Sequence, residues 1–489
     1  MSDSGTNRAL PQGWARGHLR DVLITIEAGK SFTCEPRPAE DDEWGVIKVS
    51  AMTWGRFQAG ENKAVPLGRA FDKKHEIRPG DILVSRANTR EYVGAPVLVR
   101  NCRPKLLLSD KSLRLVPSTE VDTRWLLYLL SSPGVRKYIS DTATGTKDSM
   151  RNISQQALLN APIDIPPLAE QQRIVDVIED HLSRLNAAET LIERCSIRLR
   201  RLRDTVSNPT FGYTVDVSAD AAAPPVPVGT MDGDLPRVPR NWHWCRLEDV
   251  AEVVGGVTKD SKKQSDPDLP EVPYLRVANV QRGRLNLDQI SVIRVPAKKA
   301  EALALEPGDV LLNEGGDRDK LGRGWVWEGQ IPGAIHQNHV FRARVRAGAI
   351  DPKIMSWYAN SSGRWFERNG KQSVNLASIS LSKIKKFPLP VPPEAEQKRI
   401  VERIEDNLSV MDNVTALIAR SRLRSASLRR ALLARAFSGQ LVHQDSNDES
   451  ANVMLTRVAA EREAATAKPA RRRASQRTRT APAQQEFDV

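Results

Sequence analysis

The chain has 489 residues, of which 40% are hydrophobic and 27% charged, a composition typical of a globular protein with several domains. Its formal net charge of +13 favours a polyanionic partner, nucleic acid first. The sequence has no apolar run long enough for a membrane span, no signal-peptide pattern and no paired spacing of its four cysteines. These features predict a cytoplasmic protein with reduced thiols and argue against a membrane protein.

Short β-branched runs bounded by turn residues predict strands in the first part of the chain. They are 46–49, 82–84, 97–99 and 113–116, and a helix is expected at about 122–139. Together these elements predict a mostly antiparallel α+β domain over residues 1–165.

A long helix is predicted next, over residues 166–207. Ile165-Pro166-Pro167 forces an extended entry, and no further proline occurs until Pro209. Apolar and small residues step by three and four along this helix, which is the pattern of a coiled-coil seam: Leu185, Ala188, Ile192, Cys195, Leu199, Leu202 and Val206. A proline-containing stretch of low hydrophobicity then predicts a linker over 208–238.

The second half of the chain repeats the first. Of the 15 residues from 166 to 180, 11 recur 226 positions later, at 392 to 406. In the globular part, Trp14, Asp21 and the turn Pro79-Gly80-Asp81 recur 228 positions later. A nearly constant shift predicts a tandem duplication of one domain followed by one long helix.

The duplicated elements give the remaining boundaries. Strands are predicted at 274–277, 310–312 and 340–343 and a helix at about 351–368, within a second α+β domain over 239–391. A second long helix is predicted over 392–442, with a seam of Met411, Val414, Ile418, Ser421, Ser425, Leu428 and Leu432. Residues 443–489 are rich in Ala, Gln and Arg, and a disordered basic tail is expected there.

Each long helix carries one narrow apolar stripe that a single partner helix could cover. We therefore expect the two helices to pack against each other as an antiparallel coiled coil; a helix lying on its own domain is the alternative. A helix of about 38 residues spans roughly 57 Å. The two globular domains would then be separated on the scale of one to two turns of duplex DNA.

The doubled Pro-Pro-x-Ala-Glu-Gln-x-Arg-Ile-Val helix start resembles the specificity subunits of type I restriction–modification enzymes. The segment 428–441, the turn 79–83 with Ser85-Arg86-Ala87-Asn88, and Ser109-Asp110-Lys111 also resemble that family, and the similarity covers about residues 10–442. The resemblance implies two target-recognition domains, each reading one half of a split double-stranded DNA sequence, with the helices setting the gap.

The resemblance also implies partners and cofactors. Two methyltransferase subunits would dock on the helices and methylate adenine at N6, and two motor–nuclease subunits would add cleavage. This chain would bind no cofactor and no metal, and S-adenosylmethionine, ATP and magnesium are expected on the partner subunits. The helix starts are assigned to spacing and subunit docking through Pro167, Glu170, Gln171, Arg173, Ile174, Pro393, Glu396, Gln397, Arg399 and Ile400.

Candidate DNA contacts lie on polar loops at equivalent positions of the two copies. In the first copy they are Arg86, Asn88, Arg90, Tyr92, Lys111, Thr144, Thr146 and Lys147. In the second they are Asn313, Arg318, Lys320, Gln337, Asn338, Lys371, Gln372 and Asn375. Arg and Lys are expected mostly on phosphates, and Asn and Gln on adenine. For any single residue a solvated loop is the alternative.

The sequence offers no catalytic constellation. It has no Walker A motif and no glycine-rich cofactor loop after a strand, and Asn208-Pro209-Thr210-Phe211 lacks the second proline of the N6-adenine methyltransferase motif. A non-catalytic DNA reader is therefore predicted. One alternative is a stand-alone two-headed DNA-binding regulator, which DNA binding without a partner would favour. The other is a protein–protein scaffold, which the absence of sequence-selective DNA binding would favour.

Overall fold

The computed structural model describes residues 9–31, 33–53, 55–147, 150–210, 232–233, 235–316, 320–372 and 377–466. The chain forms two compact units, one of residues 1–190 with 422–489 and one of residues 191–421. Each unit holds one globular domain and a part of both long helices. Among the helices that the structure describes, none combines the length and the apolarity of a membrane span.

In the described residues of the first globular domain there are fourteen strands and three α-helices. The strands are β1 Ala15–His18, β2 Leu23–Ala28, β3 Gly45–Ile47, β4 Met52–Thr53, β5 Arg56–Phe57, β6 Asn62–Ala64, β7 Ile82–Ser85, β8 Ala87–Asn88, β9 Pro96–Leu98, β10 Leu106–Leu107, β11 Ser112–Pro117, β12 Thr144–Lys147, β13 Met150–Asn152 and β14 Pro162–Ile165. The helices are α1 Thr123–Leu130, α2 Pro133–Thr142 and α3 Gln155–Leu159.

The main sheet of this domain is antiparallel, in the order β2-β11-β7-β9, and a smaller sheet has the order β10-β3-β6 with β3 and β10 parallel. β1 pairs with β14, which brings the start of the domain next to its end. The apolar face of the main sheet packs on α1 and α2 around Trp125, which is fully buried. The single helix predicted at 122–139 is two helices, because Asp122 caps the first and Pro133 begins the second.

The second globular domain contains the strands β15 His243–Arg246, β16 Ala251–Gly255, β17 Glu271–Leu275, β18 Val280–Gln281, β19 Arg284–Leu285, β20 Ser291–Arg294, β21 Val310–Asn313, β22 Gly315–Gly316, β23 Gly324–Val326, β24 Ile335–His336, β25 Val340–Val345, β26 Lys371–Gln372, β27 Ala377–Ser378 and β28 Pro388–Val391. The first long helix, α4 Leu168–Val206, precedes this domain in the chain. The helices of the second domain are α5 Leu247–Val250, α6 Ser261–Gln264, α7 Ala297–Leu303, α8 Pro352–Ser361, α9 Gly363–Asn369 and α10 Leu381–Lys385.

The second domain repeats the topology of the first. Its main sheet has the order β16-β25-β21-β23, β15 pairs with β28, and β17 and β24 are parallel as β3 and β10 are. The repeated Pro-Gly-Asp turn shows why these residues match: Gly80 and Gly308 have φ of 97° and 95°, which favours glycine. The structure confirms the predicted duplication. The helix predicted at 351–368 is again two, α8 and α9, with Gly363 beginning the second.

The long helices are α4, of 39 residues, and α11 Glu394–Ala436, of 43 residues. α4 was predicted over 166–207 and α11 over 392–442; both begin two residues later, after the Pro-Pro pair. Of the predicted linker 208–238, residues 211–231 and 234 lie outside the described part of the chain.

The prediction of a disordered tail is wrong for residues 443–466. A helix, α12 Ala451–Thr466, packs on the first domain and buries Ala451, Met454 and Val458 in its core. These three residues are spaced by three and four, so they lie on one face of the helix. The predicted tail residues 467–489 lie outside the described residues.

Candidate nucleic-acid interface

In the first domain, a small three-stranded sheet joins two of the predicted contact segments. The order of its strands is β12-β13-β8, with Arg151 opposite Asn88 and Asn152 opposite Thr144. The segment after β7 therefore lies beside the hairpin that begins at Thr144. Gly145 has a φ of 136°, and a Cβ atom there would lie 2.4 Å from the carbonyl oxygen of Met150, so the hairpin needs glycine at this position.

Backbone hydrogen bonds bring the third predicted segment to the same place. The Arg86 N–H donates to the carbonyl of Lys111 at 2.8 Å, and the Ile153 N–H donates to the carbonyl of Arg86 at 3.0 Å. Arg86, Lys111 and the hairpin thus meet at one edge of the domain.

The second domain repeats this arrangement with other side chains. Its small sheet has the order β26-β27-β22. The Glu314 N–H donates to the carbonyl of His339 at 2.9 Å, and the Ile379 N–H donates to the carbonyl of Glu314 at 2.9 Å. Lys371 is exposed in β26, and the half-buried Gln337 and Asn338 immediately precede His339. Both domains therefore assemble the same three segments from equivalent positions.

The two assemblies differ in charge. In the first domain, no carboxylate described here lies within 4.0 Å of the Arg86 or Lys111 side chain. At the equivalent positions of the second domain, His339 Nδ1 lies 2.7 Å from Glu314 Oε2. Two cations without a carboxylate neighbour favour phosphate, whereas Glu314 places a carboxylate at the equivalent point of the second domain.

The other predicted residues of the first domain lie near this edge. Arg90 Nε donates to Ser140 Oγ at 3.4 Å, and Tyr92 is half-buried in the same segment. The Asn88 amide oxygen accepts from the Thr89 N–H at 2.8 Å, which stabilises the local turn. Met150 is 49% exposed at the hairpin and was not among the predicted contacts, because an apolar residue gives no signal for DNA contact in a sequence, although apolar side chains can contact the thymine methyl group.

One predicted contact is wrong and several cannot be placed. Asn313 is fully buried, and its amide donates to the carbonyl of Val280 at 2.9 Å, so it cannot reach a base edge. Lys320 is half-buried next to Gly316. Arg318 and Asn375 lie outside the described residues, and for Thr146, Lys147 and Gln372 only the backbone is described. The remaining contacts stay predictions.

His336, immediately before this segment, is buried in the second domain. Its Nδ1–H donates to the carbonyl of Val340 at 2.6 Å. Burial lowers the pKa of the imidazole to about 4, because a charged ring would lose its hydration. Of the residues that the structure describes, no three His, Cys, Asp or Glu side chains come together as a metal site.

The repeated Glu-Gln pair at each helix start forms a joint between the helix and its own domain. The indole N–H of Trp14 donates to Glu170 at 2.9 Å, and that of Trp242 donates to Glu396 at 2.7 Å. Gln171 accepts from the Asp122 N–H at 3.0 Å and donates to the carbonyl of Pro166 at 3.0 Å.

Gln397 makes the same two bonds, to the Asp351 N–H at 2.7 Å and the Pro392 carbonyl at 2.9 Å. The joint explains why these residues match best between the copies.

The joint also corrects the predicted docking residues. The residues Pro167, Glu170, Gln171, Ile174, Gln397 and Ile400 are buried against their own domain, so the prediction that they dock a partner is wrong. Arg173 is held by Asp448, with Nη2 and Oδ2 2.6 Å apart, and Glu396 is held by Trp242. Pro393 is half-buried and Arg399 exposed, and for these two docking stays a prediction. Burial raises the pKa of Glu170, although Gln444 and Trp14 donate to it.

Within each unit, the two long helices contact each other. In the first unit, Ser425 Oγ donates to Glu189 at 2.6 Å and Arg429 donates to Asn186 at 2.7 Å, so the helices run in opposite directions there. In the second unit, Arg203 forms an ion pair with Asp412.

Along α4, every second residue of the predicted seam is among the less exposed positions: Leu185, Ile192, Leu199 and Val206. Between them, the less exposed residues are Glu189, Ser196 and Arg203, where the prediction had Ala188, Cys195 and Leu202.

Comparison with known proteins gives a consistent result. A family model for the type I restriction modification DNA specificity domain matches residues 11–194 and again 239–420. The specificity subunit of the Escherichia coli type I restriction enzyme EcoEI is 34% identical over 182 residues, which are 37% of this chain but only 31% of that protein. The StySPI specificity subunit of Salmonella potsdam is 24% identical over 472 residues, 93% of this chain and 96% of that one.

The fold is also shared with a solved structure. A chain from a structure of complex assembly and conformational transition of the type I R-M system superposes with a TM-score of 0.63 at 19% identity, over 89% of this chain and 100% of that one. At this identity the likeness concerns the fold alone.

Proposed function

Since the chain belongs to the family of type I restriction–modification DNA specificity subunits, we propose that each of its two globular domains reads one half of a bipartite double-stranded DNA target. The observation that carries this proposal is the repeated assembly of three polar segments, held by equivalent backbone hydrogen bonds around Arg86 and Glu314. Two similar surfaces with different side chains suit two half-sites of different sequence, since base edges are distinguished by the side chains that meet them.

We assign different parts of this surface to different roles. Arg86 and Lys111 are without a carboxylate neighbour among the described residues and would hold phosphates. Amide side chains such as Asn338 would read a base edge, because an amide can bond N6 and N7 of adenine together.

The long helices would set the distance between the half-sites as an antiparallel coiled coil. The contacts of Arg429 with Asn186 and of Arg203 with Asp412 support this arrangement, because both pairs fit one antiparallel register. The helices would also dock two methyltransferase subunits, which methylate adenine at N6. With two motor–nuclease subunits the complex would cleave unmodified DNA.

In this assembly the chain itself is non-catalytic. S-adenosylmethionine, ATP and magnesium would bind to the partner subunits, and the role of this chain would be to position DNA for them. The proposal therefore makes the target sequence a property of this chain alone.

The test is co-expression of the chain with its methyltransferase subunit, followed by mapping of methylated adenines. A bipartite motif with a fixed gap is expected. A continuous motif, or sequence-selective DNA binding without methylation, would contradict the proposal.

The spacer role has its own test. Repeating the heptads 192–198 in α4 and 417–423 in α11 lengthens both helices by roughly 10.5 Å, at 1.5 Å per residue. The gap should grow by about three base pairs at 3.4 Å each, with both half-sites intact. Changed half-sites would refute the spacer role.

A further inference from the structure

Glu314 places a carboxylate at a fixed point on the edge of the second domain. Its N–H donates to the carbonyl of His339 at 2.9 Å, and its carbonyl accepts from the Ile379 N–H at 2.9 Å. The residue before it, Asn313, is fully buried. The backbone of Glu314 is therefore held from both sides, on the edge that the proposed function assigns to DNA.

The segment that carries His339 is also fixed. The Asn338 N–H donates to the carbonyl of Val257 at 3.0 Å. The chain after β16 can approach this closely because Gly256 has no side chain: a Cβ atom there would lie 2.0 Å from the carbonyl oxygen of His336. A backbone fixed in this way holds its side chains ready for a ligand.

Three side chains form a chain of hydrogen bonds on this edge. Glu314 Oε2 lies 2.7 Å from His339 Nδ1, and His339 Nε2 lies 3.4 Å from Asn338 Nδ2. An amide nitrogen only donates, so Nε2 accepts, and Nδ1 carries the hydrogen that is donated to the carboxylate. Among the residues that the structure describes, none donates to Glu314 Oε1. That oxygen is left as an acceptor for a ligand.

Stability does not explain a carboxylate at this point. The side chains of Glu314 and His339 are 24% and 52% exposed, and ion pairs open to solvent add little to the free energy of unfolding. A carboxylate that faces DNA phosphates also weakens binding by like-charge repulsion. Its position is explained if the carboxylate accepts a hydrogen bond from a base.

The chemistry of the bases selects one of them. An ionised carboxylate accepts hydrogen bonds and donates none. In the major groove, guanine and thymine present acceptors, and adenine presents an acceptor beside its donor. Cytosine presents its N4 amino group as a donor alone, so a carboxylate can bond cytosine without meeting an acceptor on the same base.

We propose that Glu314 reads a cytosine in the half-site of the second domain, by accepting a hydrogen bond from N4 in the major groove. His339 is the positioning residue that holds the carboxylate. This inference rests on the proposed function and deepens it, since it names one base pair of one half-site. The first domain has Arg86 at the equivalent position, so the requirement applies to one half-site only.

The test uses the full chain co-expressed with its methyltransferase subunit and maps methylated adenines for the unaltered chain and for Glu314→Gln. The unaltered chain should require cytosine at one position of one half-site. The variant should accept adenine there, because an amide can bond N6 and N7 of adenine together. The preference should change by about tenfold, which corresponds to about 1.4 kcal/mol and lies within the usual cost of one mismatched base pair.

The matched control is Glu328→Gln, which removes the same charge from an exposed segment at the other end of the β21–β23 pair. It should leave the motif unchanged. His339→Ala should reduce the preference for cytosine, whereas His339→Gln, whose amide can still donate to the carboxylate, should retain it. Unchanged melting temperatures would show that all variants are folded.

Binding of the complex to a duplex that carries the mapped motif tests the contact without depending on methylation. Replacing the cytosine by 2-pyrimidinone removes the N4 amino group. This change should weaken binding of the unaltered chain about tenfold more than binding of Glu314→Gln. Equal weakening would refute the N4 contact. So would a difference that arises only when the paired guanine is replaced by hypoxanthine, which removes the minor-groove amino group.

The outcomes separate this inference from the proposed function. If the unaltered chain directs no methylation of a bipartite motif, the proposed function fails. If the motif is bipartite and Glu314→Gln leaves every position of it unchanged, the inference is overturned and the proposed function stands.

Discussion

Replacing Met454 by alanine is expected to loosen the first unit, because α12 is attached to it mainly by three buried side chains. Met454 is 1% exposed, and its Sδ accepts from Gln171 Nε2 at 3.6 Å. Truncating a buried methionine removes apolar burial and leaves a cavity, at a cost of about 2–5 kcal/mol. The loss of stability cannot exceed the free energy with which α12 docks on the first domain, because beyond that value the helix undocks on its own.

The assay is native-state hydrogen exchange read by mass spectrometry. At a cost of about 2 kcal/mol, opening becomes roughly 30-fold more frequent, so amides of α12 and of residues 19–28, against which it packs, should exchange roughly 30-fold faster. Peptides from the main sheet of the second domain should not change. The change is thus confined to one unit.

The matched control is Val453→Ala on the same helix, since Val453 is 48% exposed. It should leave exchange unaltered. Equal acceleration in both variants would mean that the exchange does not report the packing of the buried face of α12. No acceleration in residues 19–28 would show that α12 does not cover them.

Three further predictions concern the second domain and the DNA surface. The pKa of His336 falls from 6.5 to about 4 on folding, so the unfolded chain takes up the proton first as the pH falls. The free energy of unfolding of the second domain should therefore decrease by about 3 kcal/mol between pH 6.5 and 4. His336→Leu, which introduces the residue found at the equivalent Leu108, should flatten the melting temperature across that window; a persistent slope would contradict this. Gln397→Ala should cost about 1–3 kcal/mol in thermal unfolding by leaving buried backbone groups unpaired, whereas the exposed Lys398→Ala should be neutral. Lys111→Ala should weaken DNA binding equally for all sequences and reduce the salt slope by about one, and a change of sequence preference would refute its assignment to phosphate.

Much of the fold could be predicted from the sequence, because a repeat with a nearly constant shift can be recognised in the sequence alone. The predicted strands at 82–84, 113–116, 310–312 and 340–343 all lie in the main sheets, because apolar runs bounded by turns have few other solutions. Helix ends were less accurate. Ser132-Pro133 and Ser362-Gly363 divide what apolar periodicity predicted as single helices.

The errors have a common physical cause. In each case the sequence does not show which side chains are covered by another part of the fold. Glu170 and Gln171 looked like surface residues, yet tertiary hydrogen bonds allow them to be buried. Arg203 could enter the helix contact in place of Leu202 because Asp412 of the other helix pairs with it. α12 was hidden because only three of its sixteen residues are buried.

For the candidate DNA surface, the sequence predicted which segments meet but not which side chains are free. Asn313 and Asn338 are both polar residues at the end of a strand or loop. Only the structure shows that the first bonds the carbonyl of Val280 inside the core and the second does not.

The division of the chain has a consequence for the order in which its parts can be completed on the ribosome. The second unit is one continuous segment, residues 191–421, whereas the first is closed by residues from the end of the chain. Gln444 donates to Glu170 at 3.2 Å, and the Ala451 N–H donates to the carbonyl of Gly13 at 2.9 Å. The half that is translated first is therefore finished last, and until then the nascent first domain lacks the helix that covers part of its core.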